Sequence, residues 1–143
     1  MPTRSATANW SGGLKNGKGS LSLQSGVFKG PYDYKSRFET GPSTNPEELI
    51  GAAQAGCFAM FLSSLLEKNS TPATNLEVKA DVTLTPGEAG PTITKIVLHL
   101  VGTVPKITKE KFQEIAKEAK AKCPISKALS AVPSTELEIS LKA

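Results

Sequence analysis

The chain is poor in the residues on which most metal and nucleophile chemistry depends. Its 143 residues include two cysteines, one histidine and one tryptophan, and aromatics make up 6%. One histidine and no C-x-x-C pair leave no tetrahedral zinc site to assemble. That histidine, His99, falls in an alternating apolar run, so it reads as a strand-face residue and not as the base of a Ser-His-Asp triad. The net charge is +4, but the lysines are scattered and no basic stripe is interleaved with aromatics, which argues against nucleic-acid binding. No unbroken run reaches about 18 apolar residues, so no membrane span is expected. The opening MPTRSATANW lacks an apolar h-region, so no signal peptide is expected and the cytoplasm is the default compartment. There, two cysteines are more often reactive or metal-binding than structural.

What is present describes a single domain, residues 1–143, long enough for a real core. Residues 6–10 and 18–28 read as strands, the second because Leu21 and Leu23 alternate with Ser20, Ser22 and Gln24. YDYKSRFE (32–39) reads as a third strand, giving an antiparallel meander at the start of the chain. Asn45 suits a helix N-cap and Pro46 its first position, and Glu47 and Glu48 fall in the first turn. From 49 to 66 nearly everything is apolar or small, on all sides of the helix, which predicts a buried central helix, shared with a partner subunit. Two alternating runs, 76–86 and 92–104, predict a hairpin. Positions 112, 115, 116 and 119 form the narrow seam of a surface helix over 108–122. A short helix at CPISKALS and a strand at 135–142 complete a β-β-β-α-β-β-α-β order of the α+β class.

Two thiols are candidates for chemistry. Cys123 precedes Pro124, so it is a candidate N-cap, where helix N–H groups would favour a thiolate; Ser126 places a hydroxyl within one turn. Cys57 lies mid-helix among Ala55, Gly56, Phe58 and Ala59 and has no local activator, so on local features it reads as a small core residue. Helix geometry separates the two glutamates. Asn45-x-x-Glu48 has capping-box spacing, which makes Glu48 structural. Glu47 projects closer to the Cys57 face but about 15 Å away along the axis, so it can act only through an intermediary such as Arg37 or from a second chain.

TNPEELIGAAQAGCF together with KCPIS resembles the OsmC family of hydroperoxide reductases, related to the organic hydroperoxide resistance (Ohr) proteins. The likeness extends to W-x-G at 10–12, GKG at 17–19, SGVF at 25–28, RFE at 37–39 and ITKI at 93–96, and so covers essentially the whole chain. It implies an intertwined homodimer, with antiparallel sheets around central helices and active sites at the subunit interface. It also implies a peroxidase in which Cys57 is peroxidatic and Cys123 resolving, the reverse of the local reading. Arg37 and Glu47 match the family's active-site pair, with Arg37 stabilising the thiolate and Glu47 orienting Arg37. Phe38, Phe58 and Met60 are the candidate walls of a pocket for an apolar hydroperoxide. No cofactor or metal is implied; the reductant is an external dithiol, including those of the lipoyl type. The rival readings are a non-catalytic thiol redox sensor and a small-ligand-binding protein.

Overall fold

The computed structural model describes residues 1–142 and divides into two compact units, Met1–Leu49 and Ile50–Ala143. In the first, β1 (Ala6–Ser11), β2 (Lys18–Leu23) and β3 (Lys29–Tyr32) form an antiparallel meander in the order β1-β2-β3. The run expected as one strand over 18–28 stops at Leu23, because Gly26 takes a positive φ of 76° and donates its N–H to the Leu23 carbonyl in a turn. The third strand therefore lies earlier than expected. Residues 34–38 form a short helix, α1, and not a strand. Its cause is Asp33, whose Oδ1 accepts the Ser36 N–H at 2.8 Å and so caps the helix. This hydrogen bond from the Ser36 backbone, more than the other nearby donors, holds the Asp33 carboxyl below the usual carboxylate range against the opposing effect of burial.

Helix α2 (Pro46–Lys68) opens as the sequence indicates. Asn45 Oδ1 accepts the Glu48 N–H at 2.8 Å. The return contact of a capping box is redirected: Glu48 Oε1 accepts the Thr44 hydroxyl at 3.2 Å. By length and composition α2 could cross a membrane, contrary to the expectation drawn from unbroken apolar runs. Its buried stripe, however, is a core face. Phe58, Leu62 and Leu66 are fully buried against the second unit's sheet. Only 28% of its most apolar window is buried in the single chain, so the helix is not enclosed on most sides as expected. Its remaining faces are apolar chiefly through small residues, and Ala52, Ala53, Gly56, Ser63 and Ser64 are exposed.

The second unit carries a sheet ordered β4-β5-β6, made of β4 (Asn75–Thr85), β5 (Thr92–Thr103) and β6 (Ser134–Lys142). The expected hairpin is present: β4 and β5 pair antiparallel with a register shift at Thr83/Leu84. The expectation of purely antiparallel sheets fails at β6, which runs parallel to β5. Parallel neighbours need a crossover, and here it is supplied by α3 (Lys109–Lys122) and α4 (Pro124–Ala128). Ile96, Leu98 and Leu100 of β5 and Phe112, Ile115, Ala116 and Ala119 of α3 build the core with the α2 stripe, each on the face that the periodicity assigns.

Gly102 lies under the Phe112 ring, where an added Cβ would collide with it. Gly102→Ala is therefore expected to destabilise the chain by about 1–3 kcal/mol through overpacking, read as a lower urea midpoint with an unchanged slope.

Candidate functional site

The two cysteines, far apart in the chain, meet in the second unit. Cys57 projects from α2, partly buried, and packs against the core that includes Cys123, which is fully buried; both are free thiols. The local reading of Cys123 holds. It caps α4, its Sγ accepting the Ser126 N–H at 3.3 Å and lying 3.1 Å from Ser126 Oγ. Burial pushes this thiol up, but the hydroxyl and backbone N–H of Ser126, with Cys57 and the Ile125 N–H, together outweigh it, leaving Cys123 below the ordinary thiol value. Cys57 goes the other way. Burial raises it first, the Ile125 N–H opposes that rise, and the neighbouring Cys123 adds to it. Within Ile50–Ala143 the surroundings therefore favour the thiolate on Cys123 and disfavour it on Cys57.

A residue not singled out from the sequence completes this cluster. Gln54, on the same helix as Cys57, is 1% exposed and donates from Nε2 to Ser126 Oγ at 3.3 Å. A lone amide in the otherwise apolar run GAAQAGCF was the available signal.

The other candidate pair forms in the first unit. Arg37, on α1, directs Nε and Nη2 to the same oxygen, Glu47 Oε1, at 3.1 and 3.0 Å. This is a two-donor contact on one oxygen, not two parallel bonds. Glu47 is buried, and its Oε2 has no partner among the described residues. The supports are specific. Asn45 Nδ2 donates to the Ser36 carbonyl at 2.9 Å, tying the mouth of α2 to α1. Ser36 Oγ accepts the Ser43 N–H at 2.9 Å, and the Ser43 hydroxyl donates to Asp33 Oδ2 at 3.2 Å. A guanidinium fixed in this way is a preorganised donor for a polar oxygen or a sulfur anion.

Arg37 also borders a cleft of about 230 Å³ lined by Trp10, Leu14, Tyr32, Asp33, Tyr34 and Phe38. Its guanidinium carbon lies 5.2 Å from the Phe38 ring centroid. Of the three expected pocket walls, only Phe38 stands in this cleft. Phe58 is 0% exposed and belongs to the core stripe, while Met60, two positions on, is 78% exposed on a different face of α2. The cleft's other aromatics, Trp10, Tyr32 and Tyr34, were not anticipated. Trp10 and Tyr32 come together at 5.3 Å because β1 and β2 bring the W-x-G segment beside β3.

The family model described as OsmC-like protein matches residues 39–138. Peroxiredoxin OsmC of Escherichia coli K12 is 46% identical over 125 residues, covering 87% of each chain. Organic hydroperoxide resistance protein OhrB of Bacillus subtilis is 31% identical over 105 residues, 73% of this chain and 74% of OhrB. Its crystal structure superposes with a TM-score of 0.67 at 25% identity, covering 96% of this chain and 98% of that one. An organic hydroperoxide resistance protein from Elizabethkingia anophelis shares the mixed α+β fold, with a TM-score of 0.76 at 24% identity over 99% of this chain and 98% of that one.

The Cys123 environment makes a measurable statement. In Cys57→Ser, the single remaining thiol is expected to ionise below about 8.5, followed by thiolate absorbance at 240 nm against pH. In the same background Ser126→Ala is expected to raise that midpoint; no rise contradicts the role of Ser126.

Proposed function

The chain belongs to the OsmC-like family, and from that premise we propose that it is a cysteine-based hydroperoxide reductase serving oxidative-stress defence. The observation that carries this reading is the meeting of Cys57 and Cys123, both free thiols, in one core cluster. Relatives named peroxiredoxin and organic hydroperoxide resistance protein support the reaction class.

The reaction has three balanced steps. Cys57 thiolate attacks the distal oxygen of the hydroperoxide; the O–O bond breaks and the alkoxide leaves, taking a proton to become the alcohol. Cys123 thiolate then attacks the Cys57 sulfenic sulfur, forming the disulfide and expelling hydroxide, which leaves as water after protonation. An external dithiol, lipoyl groups included, exchanges with the disulfide, is itself oxidised to a disulfide, and returns both thiols. These steps use no metal or prosthetic group.

Cys57 needs a cation, because its surroundings in the second unit raise it. We assign that part to Arg37, oriented by Glu47. At a pKa near 8.5 roughly 3% of a thiol is ionised at pH 7; a drop of about 2 units raises this to about three quarters. The aromatic cleft beside Arg37 suits an organic hydroperoxide with an apolar tail. The exposed α2 face of small residues with Met60 is what a second copy of the chain would cover in a homodimer.

Steady-state turnover of cumene hydroperoxide with excess dithiol tests the proposal. The parent chain is expected to turn over many times; consumption that stops at one equivalent per subunit leaves only the redox-sensor reading. Cys57→Ser is expected to abolish turnover. Cys123→Ser is expected to react once and accumulate sulfenic acid. Arg37→Ala is expected to slow the first step by about tenfold or more, since a hydrogen bond to a charged group contributes about 1.5–3 kcal/mol. In Cys123→Ser, a Cys57 ionisation midpoint above about 8 contradicts the activation by Arg37.

A further inference from the structure

The Gln54 amide is buried, polar and unused by the reaction as written. Its Nε2 donates to Ser126 Oγ, and its Oε1 has no partner among the described residues. A buried amide half unsatisfied in this way is costly, and its one hydrogen bond has a chemical consequence. In the contact between Cys123 Sγ and Ser126 Oγ either atom could donate. Ser126 Oγ accepts the Gln54 N–H on one lone pair, and a Cys123 thiolate carries no hydrogen of its own, so in that state the hydroxyl hydrogen goes to the sulfur. The Gln54 contact holds the Ser126 oxygen in the orientation that aims this hydrogen at the sulfur. Together with the Ser126 N–H, Sγ then receives two hydrogen bonds.

We propose that Gln54, acting through Ser126, is a positioning residue that makes Cys123 the leaving thiolate when the Cys57–Cys123 disulfide is reduced. This rests on the hydroperoxide reductase reading. In this step a thiolate of the external dithiol attacks Cys57 Sγ, the S–S bond breaks, and its electron pair departs on Cys123 Sγ. The second thiol of the reductant then attacks the mixed disulfide, leaving as a cyclic disulfide and freeing Cys57 as thiolate. Disulfide exchange is faster when the departing sulfur is the more stable anion. The reduced structure holds Cys123 in the surroundings of that product, with the two donors already in place. Access agrees: Cys57 is partly exposed, whereas Cys123 is fully buried.

The titratable group facing Cys123 is Cys57 on α2. Lys120 of α3 and Lys127 of α4 line a cleft beside Gln54 and Ser126, and Lys120 Nζ is held by the Thr135 carbonyl at 2.6 Å. Lys122, next to Cys123 in the chain, pairs with Glu118 at 2.8 Å.

Gln54→Met keeps the length and helix propensity of the side chain and removes both polar groups. In a Cys57→Ser background it is expected to raise the Cys123 ionisation midpoint, read at 240 nm, by about one unit. With Cys57 present, reduction of the preformed disulfide by dihydrolipoate is expected to slow about three- to tenfold, while the first step with peroxide keeps its parent rate. Ser126→Ala is expected to do at least as much. The double variant should do no more than Ser126→Ala alone, because Gln54 acts only through that hydroxyl. With a monothiol reductant, the mixed disulfide should map to Cys57. An unchanged Cys123 midpoint in Gln54→Met overturns the proposal, as does a mixed disulfide on Cys123, or additive effects of the two substitutions. If peroxide forms no Cys57–Cys123 disulfide, the reductase reading itself fails; the Cys123 titration still reports separately whether Gln54 orients Ser126.

Discussion

The seating of α2 on the second sheet is the contact on which the thiol chemistry depends. Phe58, Leu62 and Leu66 lock the helix to the β5 face, and Gly51 lets its backbone come down beside β4, where an added Cβ would lie 3.3 Å from the Ala80 carbonyl oxygen. Burying these side chains contributes about 1.5–3 kcal/mol each, before the entropy lost on ordering them. With the helix rotation set by this stripe, Gln54 and Cys57 lie three residues apart and reach one neighbourhood, the junction of α3 and α4. A helix rolled by one position would break both contacts at once.

Charge is managed differently at the two cysteines. Cys123 is buried, yet its thiolate is favoured by donors drawn from its own α4 turn and, through Ser126, from α2. Cys57 is less buried but has less help, and its surroundings raise it, burial first. The two thiols therefore differ in how their surroundings treat the anion, although they share one core.

Much of the fold was legible because alternation and helical spacing report directly on which side chains are buried. Ile96, Leu98 and Leu100 and the 112/115/116/119 seam fall where the periodicity puts them. The segment at 32–39 misled because its aromatics resemble a strand, whereas one carboxylate at Asp33 outweighs that tendency by capping α1. The direction of β6 was illegible in principle, since period-2 alternation is the same for parallel and antiparallel neighbours. At the site, Pro124 and Ser126 announced the surroundings of Cys123 locally. The pairing with Cys57 came only from resemblance, and Gln54 escaped notice because its partner lies far along the chain. Phe58 shows the converse: next to Cys57 in the chain it suggested a pocket wall, but the helix stripe buries it in the core.

The parallel pairing of β5 with β6 also has a kinetic side. The β4–β5 hairpin can close from a short turn in about 1–10 μs, but β6 can dock only after the whole α3–α4 crossover has been gathered in. Cys123 sits within that crossover. The two sulfurs are therefore expected to meet late in folding, after the helix that carries Cys57 has a sheet to rest on. Before then each thiol is separate, and a half-folded chain exposed to oxidant would meet it with its two sulfurs still apart.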